Sequence, residues 1–294
     1  MDSIDKCYDA IMELQGVDDL KGMVSRLRKF HLNKKKLPTA KVTQPNYLWA
    51  AKRGGGISTC INAFTEYLYA DKVIEFTGTA KYFEFKLAYI SPDKFFSELS
   101  RLDSAMSEIA GHHRFFRGVA CINIDEWTGH ASDEHFYKFI DYMASRNDKI
   151  LMVFCIHAED KNVIESVESA LSSRLRIETV PLRFPKSNEL VELVDSKHFK
   201  SQGFYLSDDA KSLLADSIDG MIDGKHFNGF VTVEQLATDI LFRLLEAGFT
   251  PSANGCEIYA DMLSGFSRES KFIKRIKTFA APKTMGFATA KEER

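Results

Sequence analysis

Apolar residues recur at helical spacing near the start of the chain, at Ile4, Cys7, Tyr8, Ile11 and Met12 and again at Leu20, Met23, Val24 and Leu27, with a break at Gly16. This period predicts two helices. A basic, proline-bounded linker, Asn33 to Pro38, leads to an extended apolar run from Pro45 to Ala50, and the glycine-rich stretch AKRGGGIST at 51–59 follows directly. The next segment, about Ser58 to Tyr69, places Ile61, Phe64, Tyr67 and Leu68 on one helical face. Residues 72–90 are rich in β-branched and aromatic types around Gly78 and read as one strand or a hairpin. A helix over about Pro92 to Ala110 has Ser91 as its N-cap and proline at its first position. The run VACINID ends at Asp125 and predicts a fully buried strand. Helices over His135–Ser145 and Lys161–Leu171 then alternate with strands over Ile150–Ile156 and Arg176–Val180.

Strands that are apolar on both faces and alternate with helices predict an α/β domain with a parallel sheet covered on both sides. After Pro185 the strands stop, and residues 187–200, 207–219, 231–247 and 255–274 all have a helical period, with a turn-rich break at Asp219 to Gly229. The expected organisation is an α/β domain over 1–184, a small helical domain over 185–250, and a helical C-terminal extension over 251–294 that ends in a polar tail from Pro282.

Composition narrows the function classes. With 45% hydrophobic and 27% charged residues in 294, the chain can bury real cores, and a net charge of -2 supplies no global field for nucleic acid or an anionic membrane. No apolar stretch approaches the roughly 18 residues a membrane span needs. The start, MDSIDKCYDA, is acidic where a signal peptide is basic, so the cytoplasm is the expected address. The five cysteines are widely spaced and read as reduced, buried thiols.

The glycine loop fits the phosphate-binding pattern G-x-x-x-x-G-K-[ST], in which loop amides cradle phosphates, the lysine neutralises them and the hydroxyl holds magnesium. Ala51 takes the first glycine, Gly56 the second, Ile57 the lysine and Ser58 the hydroxyl. Taken alone, Gly54, Gly55 and Gly56 read equally as a flexible turn. Asp125 and Glu126 after a buried strand supply the acidic motif such a loop requires, or else an ordinary helix-capping pair.

With these motifs, residues 12–245 resemble the AAA+ ATPases, and within them the single-module ring ATPases typified by the Rubisco-activase-like CbbX proteins and sporulation protein K. The segment Glu13-Leu14-Gln15-Gly16-Val17-Asp18-Asp19-Leu20-Lys21 is similar to that family's opening segment, and Ser173-Arg174-Leu175 is similar to its arginine-finger turn. The resemblance implies a P-loop NTPase-like sheet domain followed by a helical lid. It further implies ATP or ADP held at Gly16, Val17, Gly54, Gly55, Gly56, Ile57, Ser58 and Thr59, with Mg2+ at Ser58 and Asp125. Asp125 and Glu126 would act on the attacking water, and Arg174 would reach a neighbouring subunit's γ-phosphate. His157 falls near the position where the family orients water; a lone histidine at a strand end also reads as structural. The lid arginine is absent from Gly229 to Val233, and Arg243 lies some three turns later.

Three phosphate-facing features are therefore altered: the first glycine, the lysine and the lid arginine. Each lost charge-assisted contact costs about 1.5–3 kcal/mol, or about one to two decades of affinity. The expected function is a degenerate-site AAA+ module, a pseudo-ATPase or very weak ATPase. It would act as a regulatory or structural subunit of a homo- or hetero-oligomeric ring, with a protein client conceivable and no nucleic acid or membrane expected. One alternative is an active ATP-hydrolysing remodeller in which Lys52 or Arg53 stands in for the lysine; another is a nucleotide-free scaffold. The cluster His112, His113, Arg114 and Arg117 reads as an exposed loop, and Tyr82, Phe83 and Phe85 as either sheet core or a partner surface.

Overall fold

Five extended runs become the strands of one parallel sheet in the computed structural model, which describes residues 3–36, 44–74, 83–86, 97, 99–104, 118–146, 150–222, 224, 227–251 and 255–265. The chain divides into two compact units, Met1–Pro185 and Lys186–Arg294.

The first unit begins with helices α1 (Ser3–Met12) and α2 (Asp18–Lys36), followed by strand β1 (Asn46–Ala51), helix α3 (Ile57–Ala70) and strand β2 (Phe83–Lys86). It continues with β3 (Gly118–Asn123), a 3-10 turn (Asp125–Trp127), α4 (Glu134–Ala144), β4 (Ile150–Ile156), α5 (Lys161–Ser172) and β5 (Ile177–Leu182). The strand order is β2-β3-β4-β1-β5, with every neighbouring pair parallel.

All six residues of β1 and all seven of β4 are buried, because helices cover both faces. Alternation along β1 divides its side chains between two cores. Leu48 and Ala50 join Ile122, Phe154, Phe136 and Phe139 under α4 and α5, while Tyr47, Trp49 and Ala51 join Ile61, Phe64 and Leu68 under α1, α2 and α3. Aromatic contacts lock each layer: Phe139 meets Phe154 edge-on at 6.3 Å, and Tyr47 meets Phe64 edge-on at 5.6 Å. The buried Asn46 also ties the sheet, its Oδ1 accepting the Met152 N–H at 2.9 Å.

Helix α2 runs on to Lys36, through most of the expected linker. Lysine is a good helix former, and cations at a helix C-terminus are favoured by its dipole. Within the 72–90 run, the described residues 83–86 form β2, parallel to β3. Of the helix expected at 92–110, residues 97 and 99–104 are helical, with Leu102 fully buried. Tyr82 and the cluster from His112 to Arg117 lie outside the described residues.

The second unit contains α6 (Ser187–Val194), a π turn (Asp195–Phe199), a 3-10 turn (Lys200–Gln202), β6 (Phe204–Leu206) and α7 (Asp208–Ile222). These are followed by α8 (Phe230–Glu246), β7 (Cys256–Ile258) and α9 (Ala260–Gly265). Strands do not end at Pro185 as expected: β6 and β7 pair in parallel, and β7 begins where the sequence period suggested helix. Buried Asp195 joins this sheet to its surroundings. Its Oδ1 accepts the Leu206 N–H at 3.2 Å, and its Oδ2 faces the Lys200 and Lys211 ammonium groups at 3.0 and 3.3 Å. Among the described residues, no helix is long and apolar enough to cross a membrane.

Candidate functional site

The register of the sheet decides which residues meet. Ala50 pairs with Ile156, Ala51 with Leu182, and Asn123 with Cys155. The glycine loop after β1, Asp125 after β3, His157 after β4 and Arg183 after β5 therefore emerge at the same carboxyl edge. Helix α3 leaves β1 on one face of the sheet, and α5 leaves the adjacent β4 on the other. Such a switch in crossover direction opens the crevice where parallel α/β sheets place ligands.

The loop has a specific backbone. Gly54 and Gly56 have φ of 76° and 81°, in the left-handed region. The Gly55 N–H donates to the Lys52 carbonyl at 2.9 Å, and a Cβ on Gly55 would lie 2.8 Å from that oxygen. Gly56 is the N-cap of α3 and supplies no capping side chain, so the first-turn amides of Ile57, Ser58 and Thr59 lie at the positive end of a 14-residue helix. Gly56→Ala is expected to cost about 1–2 kcal/mol through its positive φ, read as a shifted urea midpoint with an unchanged slope.

Ile57, in the lysine slot, is half-buried and packs against the core beneath α1, α2 and α3. Ser58 and Thr59 are exposed in the first turn of α3. Gly16, with φ of 72°, leaves no room for a side chain: a Cβ there would sit 2.8 Å from Pro185 Cγ and 3.1 Å from the Arg183 carbonyl. The Gly16-Val17 turn is thereby held at the same carboxyl edge. Val17 is buried in the core, so a ligand there would meet its backbone.

Asp125 sits in a clasp. Its Oδ1 accepts the His157 backbone N–H at 2.6 Å, and its Oδ2 accepts His157 Nδ1–H at 2.6 Å and Asn123 Nδ2–H at 3.1 Å. A carboxylate only accepts, so Nδ1 is the protonated ring nitrogen. Asn123 is held in turn, its Oδ1 accepting the Asp125 N–H at 3.0 Å. Burial pushes the Asp125 carboxyl up, but the hydrogen bonds from His157 and Asn123 outweigh it and hold the group below the ordinary carboxylate range. Glu126 is exposed on the same turn, and Trp127 anchors that turn by stacking on Phe136 at 5.4 Å.

Magnesium is a poor fit to this donor set. The Asp125 oxygens receive three N–H groups, which leaves a cation one lone-pair position, on Oδ1. Among the same residues, no group of three or more His, Cys, Asp or Glu side chains could hold a metal ion.

Arg174 lies apart from these groups. It precedes β5 and is therefore at the amino edge of the sheet, where its Nε donates to Asp141 Oδ1 at 2.7 Å and its Nη1 to the Ser173 carbonyl at 3.1 Å. The reading from sequence missed Asn123, Trp127, Arg183 and Asp141. A polar Asn123 inside an apolar strand was a usable signal for the first; the others have no local signature. Three of the cysteines are buried, and Cys121 Sγ lies 3.4 Å from Cys155 Sγ, both as free thiols.

Fold and site define an α/β protein whose parallel sheet carries a glycine loop and a clasped aspartate along one edge. The sequence matches no family model and no curated protein.

Proposed function

We propose that the chain is an AAA+-like module, a P-loop NTPase-like domain with a helical lid, whose degenerate site binds nucleotide without useful turnover. It serves as a regulatory or structural subunit of a ring. The observation that carries this reading is the gathering of the glycine loop, the Gly16-Val17 turn and the Asp125-Glu126 turn at one edge, at the switch point of the sheet. Loop amides at the start of α3 suit phosphate. Ile57, turned against the core, gives the phosphates no charge.

Arg174 fits the same reading, because from the amino edge it cannot reach its own loop and would serve a neighbouring subunit. Its pair with Asp141 is exposed, with both side chains 56% accessible. Arg174→Ala is therefore expected to change stability by less than about 1 kcal/mol in urea unfolding, as exposed pairs do. A larger loss would make the arginine a tether of α5.

Steady-state phosphate release from ATP tests the main reading. The expected result is no release above the blank at any protein concentration. Release that is abolished by Glu126→Gln would overturn it in favour of a working remodeller.

A further inference from the structure

We propose that this loop binds a nucleoside diphosphate without a divalent metal ion, because the clasp of His157 and Asn123 on Asp125 takes three of the four acceptor positions a metal would draw on. The inference rests on the nucleotide reading of the loop and adds to it the ionic form of the ligand.

A carboxylate offers about four lone-pair positions. Three on Asp125 are taken, by His157 N–H, His157 Nδ1–H and Asn123 Nδ2–H. Two of these donors are fixed by the sheet. The His157 N–H follows directly on β4, whose Ile156 is in register with Ala50, and Asn123 is the last residue of β3. A cation approaching Asp125 would meet the positive ends of three N–H dipoles and would find one position left to it, the second lone pair of Oδ1. Magnesium demands near-octahedral oxygen ligands and is bound through one or two carboxylates plus phosphate oxygens. Asp125 offers it a single position, on Oδ1, beside three N–H dipoles.

Phosphate would instead meet the amides of Ile57, Ser58 and Thr59 at the start of α3, with Lys52 and Arg53 on the same loop. With no lysine at position 57 and no metal, the cations of this loop are Lys52 and Arg53, and a third phosphate adds charge beyond theirs. A diphosphate is therefore the better fit, and a triphosphate should bind no tighter.

Isothermal titration of ADP into the full chain, once with magnesium and once with EDTA, tests the proposal. Dissociation constants that agree within about twofold support it, whereas tightening by tenfold or more with magnesium overturns it. His157→Ala removes the ring donor from Oδ2, and a magnesium dependence of about tenfold or more should then appear; a variant as indifferent to metal as the parent would overturn the role given to the clasp. The wild-type comparison stands whether or not the variant folds. Binding seen only with magnesium removes this inference and leaves the nucleotide reading intact. Absence of binding in both buffers removes the nucleotide reading, and the inference with it.

Discussion

Trp127→Ala should destabilise the first unit by about 3–5 kcal/mol, the range for truncating a large buried aromatic. Trp127 is 1% exposed and lies on top of a continuous aromatic column: it stacks on Phe136, which stacks on Phe139 at 6.0 Å, which meets Phe154 of β4 edge-on. Truncation would remove the upper member and leave a cavity that the neighbouring rings, held by α4 and β4, could not fill. Trp127 also closes the turn that carries Asp125 and Glu126, its N–H donating to the Ile124 carbonyl at 2.9 Å. The variant should therefore loosen the clasp as well as the core. Urea unfolding followed by far-ultraviolet circular dichroism measures the loss. Trp127→Phe keeps a stacked ring and should lose clearly less; equal losses for the two variants would mean that the stack is not what holds the turn.

Ile57→Lys should tighten nucleotide binding by about one to two decades, the worth of one charge-assisted hydrogen bond of about 1.5–3 kcal/mol. The gain is conditional on geometry. Ile57 packs on the core at the first turn of α3, so the lysine stem would have to follow that surface while its ammonium reaches the loop. The lost apolar contact offsets part of the benefit in stability, though not in affinity. Fluorescent-nucleotide titration of parent and variant measures it. An unchanged dissociation constant would mean that position 57 does not face the phosphates.

The sheet was legible because doubly buried parallel strands are apolar throughout: β1, β3 and β4 stand out as unbroken runs, and the glycine loop and Asp125 mark where two of them end. The helices α3, α4 and α5 were legible from their period. The small sheet was not, because β6 and β7 are three residues each, too short to show an alternation, and lie 52 positions apart in register, Phe204 against Cys256. The end of α2 was missed because lysines read as a linker by composition while forming helix by propensity. At the site, the loop and the acidic pair could be read from local motifs. The clasp could not, since His157 meets Asp125 across 32 residues and only the parallel register brings them together. The separation of Arg174 from the loop likewise follows from strand direction, which no local pattern contains.

Thermal unfolding with and without excess ADP, on the parent chain and on Gly55→Val, tests most directly whether the loop is a nucleotide site. A side chain at Gly55 would collide with the Lys52 carbonyl, 2.8 Å from its Cβ, and distort the loop that would cradle phosphate. Ligand at a hundred times its dissociation constant stabilises the native state by about 2.7 kcal/mol. The parent should therefore melt several degrees higher with ADP, and Gly55→Val should show no such rise. A parent chain whose melting temperature ADP leaves unchanged at every concentration, or a rise that Gly55→Val retains in full, would contradict the account.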